Sequence, residues 1–151
     1  MSVLERLKAA GVDLPSPRAP VANYVPVVIT GNLLFISGQV SAAPDGLIKG
    51  RLGEDMSLEQ GQNAARVCAI NLIAQMQSAL GDLERVTRVV KLGGFVNAAA
   101  DFVQIPQVVN GCSDLMVTAF GDKGRHARSA VACPVLPMGA AVEVDAVVEF
   151  R

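Results

Sequence analysis

The hydrophobic period changes along this chain, and that change constrains the fold more than any other feature. From Ala141 to Phe150 the pattern alternates cleanly. Val142, Val144, Ala146, Val148 and Phe150 fall on one side, and Glu143, Asp145, Val147 and Glu149 on the other. That is the period of a strand with two different faces. From Leu58 to Leu80, apolar residues recur mostly at three- and four-residue spacing through Ala64, Val67, Cys68, Leu72, Met76, Ala79 and Leu80. That is the period of an amphipathic helix. Ser57 and Gln60 supply a capping box at its start, and Gly81 stops it.

The remaining elements follow from the same rules. Residues 2–10 read as a short helix with Ser2 and Glu5 as its capping box and Gly11 at its end. Residues 12–22 carry three prolines and read as an extended arm across the surface. Tyr24 to Thr30 and Leu33 to Ser37 form a hairpin about Gly31-Asn32. Pro44-Asp45-Gly46 marks a second turn, with a short strand over Leu47–Gly50. Glu84 to Val96 reads as a buried strand. Asp101 is the expected cap of a second helical region over 102–119, interrupted by Pro106 and Gly111 and closed by Gly121. Ala127 to Cys133 is a further strand. The order is an α+β one. Two helices cover one face of such a sheet, and the other face still carries Val and Leu. An exposed apolar sheet face implies association, so a homo-oligomer is expected.

Composition closes several alternatives. The chain has 151 residues, enough for one domain with its own core. It divides into an N-terminal helix and arm over 1–21 and a main body over 22–151. It is 51% hydrophobic but 4% aromatic, so small aliphatics must fill the interior. Thirteen basic and fourteen acidic residues leave a formal charge of −1, with no basic surplus for binding phosphates. No apolar run reaches the ~18 residues of a membrane span, and the N-terminus does not read as a signal peptide. A cytoplasmic protein is expected. Cys68, Cys112 and Cys133 are scattered, with no CxxC, so neither a disulfide framework nor a zinc site is expected.

The acid–base inventory is thin. His126 is the only histidine, and a partly exposed loop position is its plainer reading beside a catalytic one. Arg128 opens an otherwise apolar strand and needs a partner there. A structural ion pair with Glu143 or Asp145 on a neighbouring strand and a fork of donors for a small carboxylate account for it equally well.

The segment ARSAVACPVLPMGAAVEVDAVVEF resembles the C-terminal signature of the RidA family, also called YjgF or L-PSP. The match runs through Arg128, Ser129, Val131, Leu136, Pro137, Val142, Glu143, Val144 and Ala146. Gly31-Asn32 leading to Ile36-Ser37-Gly38-Gln39 is similar to the family's turn and strand. Leu80-Gly81-Asp82-Leu83 through Phe95-Val96 is similar to its helix exit and next strand. The resemblance covers roughly residues 22–151. Residues 1–20 and the KGRLGEDMSLEQGQ stretch depart from the shorter members and resemble a longer branch.

This resemblance implies a chorismate-mutase-like α+β fold, with two helices on one face of the sheet. It implies a homotrimer with a central β-barrel, three inter-subunit clefts and no cofactor. The implied activity is hydrolysis of 2-imino acids to 2-keto acids and ammonia. Arg128 then matches the carboxylate-gripping arginine, and Glu143 the glutamate that holds and activates water. A solvated or arginine-paired strand face accounts for Glu143 equally well. Tyr24 matches a cleft-edge tyrosine, Ser37 and Gly38 the chain passing the ligand, and Asn110 a cleft asparagine. Ala130 stands where the family often has cysteine, which leaves its backbone carbonyl to orient water. A binding trimer without catalysis, and the older endoribonuclease or translation-inhibitor label, are the competing functions.

Overall fold

The computed structural model describes all 151 residues. Helix α1 spans Val3–Ala9. Strands β1 (Val27–Thr30) and β2 (Leu33–Val40) form a hairpin, and β3 (Ala42–Ala43) and β4 (Gly46–Leu47) a smaller one. Helix α2 (Leu58–Leu80) leads through a single 3-10 turn into β5 (Val86–Asn97). Helix α3 (Ile105–Phe120), β6 (Ala127–Cys133) and β7 (Val142–Phe150) complete the chain. The main sheet has the order β1-β2-β7-β5-β6. All neighbours are antiparallel except β5 and β6, which α3 joins as a crossover.

Helices α2 and α3 pack side by side on one face of this sheet. The buried side of β7 presents Val142, Val144, Ala146 and Val148 to them, as the alternation requires. Leu34 and Ile36 of β2 and Val89, Leu92 and Val96 of β5 continue that layer. Val3 and Leu7 of α1 join the same core. Both expected capping boxes form, on Ser2 with Glu5 and on Ser57 with Gln60. Gly111 lies inside α3 because the helices cross closely: a Cβ there would collide with the backbone carbonyl of Gln62.

Several boundaries differ from the sequence expectation. Helix α3 starts at Ile105, so Asp101 is not its cap. Pro106 does not interrupt the helix but sits in its first turn, where a missing N–H costs nothing. Strand β1 starts only at Val27, because Pro26 has no N–H for the ladder. Strand β2 runs past Ser37 to Val40 through an irregularity between Ile36 and Gln39. The strand expected over Leu47–Gly50 shrinks to β4 and a bridge from Lys49 to Ala140.

Buried amides of α2 fasten the β2–β3 corner and the arm. Asn71 of α2 donates to the carbonyls of Val40 and Ala42. Gln75, 3% exposed, donates to the carbonyl of Arg18 at 3.1 Å and so fixes the arm beside β2. The sheet face away from α2 and α3 is uncovered. Val28, Phe35 and Val131 on it are 52, 42 and 47% exposed. No helix is long and apolar enough to cross a membrane.

Candidate functional site

The arm, the end of β2 and the start of β7 enclose a cleft of about 700 Å³, with Arg18, Tyr24, Ser37, Gly38, Met138 and Glu143 in its lining. Ser37 holds the arm at the cleft. Its hydroxyl donates to the carbonyl of Val25 at 2.7 Å, and its backbone N–H to that of Pro26 at 2.9 Å. Tyr24 is thereby kept at the rim, about half exposed. Met138 has a φ of 60°, unusual for a residue with a side chain, in the tight Pro137–Gly139 turn beside Glu143.

Gly38 has a specific reason to be glycine. A Cβ there would overlap the Glu143 carboxylate, which lies across the bare backbone of β2. Gly93 of β5 does the same for Asp145. The two carboxylates of β7 are therefore laid flat on glycines of its two neighbours. Burial pushes the Glu143 carboxyl above the usual carboxylate range, and Asp145 adds to the rise. Burial also raises Asp145, against the Gly93 backbone and Lys91. Glu143 therefore holds a proton more readily than a free carboxylate, a useful property in an acid–base group.

Arg128 lies elsewhere. Its register partner Leu92 is in the core, so its side chain leaves β6 on the helix side and reaches α3. Nη1 donates to Asn110 Oδ1 at 2.9 Å and to Ser113 Oγ at 3.1 Å, and Nη2 to the carbonyl of Pro106 at 3.4 Å. Every one of these acceptors is neutral. The chain's two side-chain ion pairs are Arg51–Glu54 and Arg125–Asp122. The ion pair of Arg128 with Glu143 or Asp145 is therefore not made. Strand β6 borders β5 rather than β7, and the carboxylates face the uncovered side.

One protomer thus holds two groups of expected residues. Tyr24, Ser37, Gly38 and Glu143 share the cleft. Arg128 and Asn110 form a second cluster at the β6 edge, with Ala130 two residues further along that strand, opposite Gly94. Ser113 and His126 belong to the second cluster without having been singled out for it. The helical spacing of Asn110 and Ser113 was the available signal, since residues three apart share a face. His126 is half-buried. Its Nδ1 lies 2.6 Å from the carbonyl of Gly124 and its Nε2 2.8 Å from Ser113 Oγ. Burial lowers its pKa against the opposing effect of Gly124, and the Arg128 and Arg88 charges lower it further. Cys112 is buried, and its thiol is pushed up to about 12, so it stays protonated. Nowhere do three His, Cys, Asp or Glu side chains gather as metal ligands.

The family model described as "YjgF/chorismate mutase-like, putative endoribonuclease" matches residues 4–150. The chain belongs to the YjgF family. Protein TCP17 of Trypanosoma cruzi is 49% identical over 151 residues, spanning 99% of this chain and 94% of that protein. The crystal structure of Atu1372 from Agrobacterium tumefaciens superposes with a TM-score of 0.93 at 44% identity, covering 99% of this chain and 92% of that one. The serine-bound structure of E. coli TdcF shares the fold at a TM-score of 0.67 and 20% identity, covering 90% of this chain and 94% of that one. The mixed sheet backed by helices is the architecture these neighbours share.

Proposed function

We propose that this YjgF protein assembles as a homotrimer and hydrolyses 2-imino acids to 2-keto acids and ammonia in clefts between subunits. Arg128 carries the reading. Its guanidinium is held by three neutral acceptors and has no counter-charge, so it is a fixed cation with capacity for an anion. A carboxylate is the fitting anion in size and in its match to the planar fork. That TdcF was crystallised with serine, a small amino acid, agrees with a ligand of this class in the fold.

The reaction follows from the residues. The Arg128 fork takes the carboxylate of the imino acid and fixes the position of C2. Glu143, from the facing subunit's cleft, accepts a proton from water as the water oxygen bonds to C2. Glu143 passes that proton to nitrogen, the hydroxyl proton of the resulting carbinolamine follows it, and the C–N bond breaks with its electron pair to release ammonia. The water oxygen remains as the keto oxygen. A carboxyl with a raised pKa can take the first proton and return it to nitrogen. The Ala130 carbonyl and Tyr24 orient the water and close the rim. No step uses a cofactor. The near-neutral charge of the chain gives the endoribonuclease reading no electrostatic footprint for a phosphate backbone.

The test is a coupled assay in which an amino-acid oxidase generates the imine and keto-acid release is timed. Wild type should accelerate release, and Arg128→Ala should reduce this at least about tenfold. Acceleration by both proteins alike would remove Arg128 from the site. Acceleration by neither, with 2-keto acids still bound by wild type alone, would leave a binding trimer.

A further inference from the structure

We infer that His126 and Ser113 are positioning residues for Arg128, and that they hold its guanidinium in place only while the imidazole is neutral. The inference rests on the reading of Arg128 as the carboxylate anchor. Its own basis is the direction of a hydrogen-bond chain. The Gly124 carbonyl can only accept, so His126 Nδ1, 2.6 Å away, must carry a proton. In the neutral ring Nε2 is then an acceptor, and the Ser113 hydroxyl 2.8 Å away donates to it. With its proton committed, Ser113 Oγ turns its lone pairs to Arg128 Nη1 at 3.1 Å. Each donor has one acceptor from Arg128 to the Gly124 carbonyl, and the order does not reverse.

Protonation breaks this order. Nε2 becomes a donor, so Ser113 Oγ faces two donors and loses the acceptor for its own proton. A second positive charge then stands one hydroxyl from the guanidinium. Burial opposes the imidazolium most, and the Gly124 carbonyl is the one neighbour that favours it. Arg88 of β5 and Arg128 itself both disfavour the imidazolium. Cys112 of α3 stays protonated, and Asp114 of α3 is exposed to solvent. In the adjoining turn, Asp122 is paired with Arg125, and Lys123 adds positive charge. Lys91 belongs to the other face of the sheet, opposite Val147. The neutral ring is therefore the form at neutral pH, and the chain loosens on acidification.

The experiment measures binding of 2-oxobutanoate to the full-length protein by calorimetry, from about pH 8 to about pH 5, which brackets the ordinary histidine range. The proteins are wild type, Ser113→Ala, His126→Ala, His126→Gln and Arg128→Ala. Ser113→Ala and His126→Ala should each weaken binding about tenfold at about pH 7.5, as loss of a hydrogen bond to a charged group does. His126→Gln, whose side-chain oxygen accepts but never titrates, should stay within about twofold of wild type there. Acidification should weaken wild type more than His126→Gln, while the Glu143 titration remains common to both. If Ser113→Ala and His126→Gln both match wild type at every pH while Arg128→Ala fails to bind, the positioning role is overturned and the anchor stands. If Arg128→Ala binds as wild type does, the anchor itself fails. Should Ser113→Ala not fold, the pH profile of His126→Gln against wild type decides alone.

Discussion

At the scale of single residues, the site depends on which groups have partners and which do not. Arg128 is surrounded by neutral acceptors, and Glu143 by bare glycine backbone and a second carboxylate. This has a consequence for stability. A carboxyl whose pKa is raised on folding binds more protons in the folded state than in the unfolded one. Stability therefore falls as pH rises from the unfolded value through the folded one. Glu143→Gln should remove that cost. At about pH 7.5 the variant should melt higher than wild type, by at most about 2–4 °C, because half-exposure limits the gain to about 1 kcal/mol or less. At about pH 3 the difference should vanish, since the carboxyl is then protonated in both the folded and unfolded states. The same variant should lose imine hydrolysis while keeping 2-keto-acid binding. Calorimetric melting at both pH values checks the sign, and a lower melting point at about pH 7.5 would refute it. Gly38 was legible through the resemblance as chain passing the ligand, and the structure adds that a side chain there would obstruct Glu143. Gly93 was not legible, because a one-dimensional pattern does not show which strands become neighbours.

At the scale of elements, local chemistry predicted what local chemistry decides. The capping boxes at Ser2 and Ser57 and the alternation of β7 all appear where the residues place them. The misses come from tertiary context. Strand β2 continues beyond Gly38 because β7 offers a partner as far as Glu143. Pro106 looked like an interruption, but the start of α3 was misplaced upstream at Asp101. Gly111 is the most instructive case, since glycine in a helix interior costs about 1 kcal/mol against alanine. Gly111→Ala should nevertheless destabilise the protein. The added methyl meets the Gln62 carbonyl, and neither helix backbone can move without disturbing the core between them. Overpacking of this kind costs about 1–3 kcal/mol, which exceeds or offsets the propensity gain. A lower melting temperature is expected, by several degrees. A rise would mean that α2 and α3 do not cross this closely.

At the scale of the whole molecule, the two residue clusters of one chain lie apart, and the proposed reaction needs both. Glu143 faces the uncovered side of the sheet, and Arg128 turns to the helix side at its edge. Arg128 and Glu143 of one protomer therefore do not converge on a single ligand, and the proposed trimer is what would pair one protomer's arginine with another's carboxylate. The uncovered face offers the surface for it. Phe35 lies opposite Val147 on that face, with Val28 beside it and Val131 beyond Phe95. A soluble monomer seldom leaves such a patch open. The sequence made this face legible, because two helices cannot cover both sides of one sheet. It could not show that Arg128 and Glu143 diverge, because strand order is set by pairing. Phe35→Lys separates assembly from folding. Phe35 is 42% exposed in the protomer, so the substitution removes little of the protomer's own core. In a trimer it would bring three ammonium groups close together in an apolar interior, at a cost no neighbouring carboxylate fully offsets. The variant should run as a folded monomer by light scattering, with near wild-type circular dichroism. It should hydrolyse no imine even though Arg128, Asn110 and Glu143 are all intact. A monomer that retained full activity would place the whole reaction within one chain and would overturn the shared cleft.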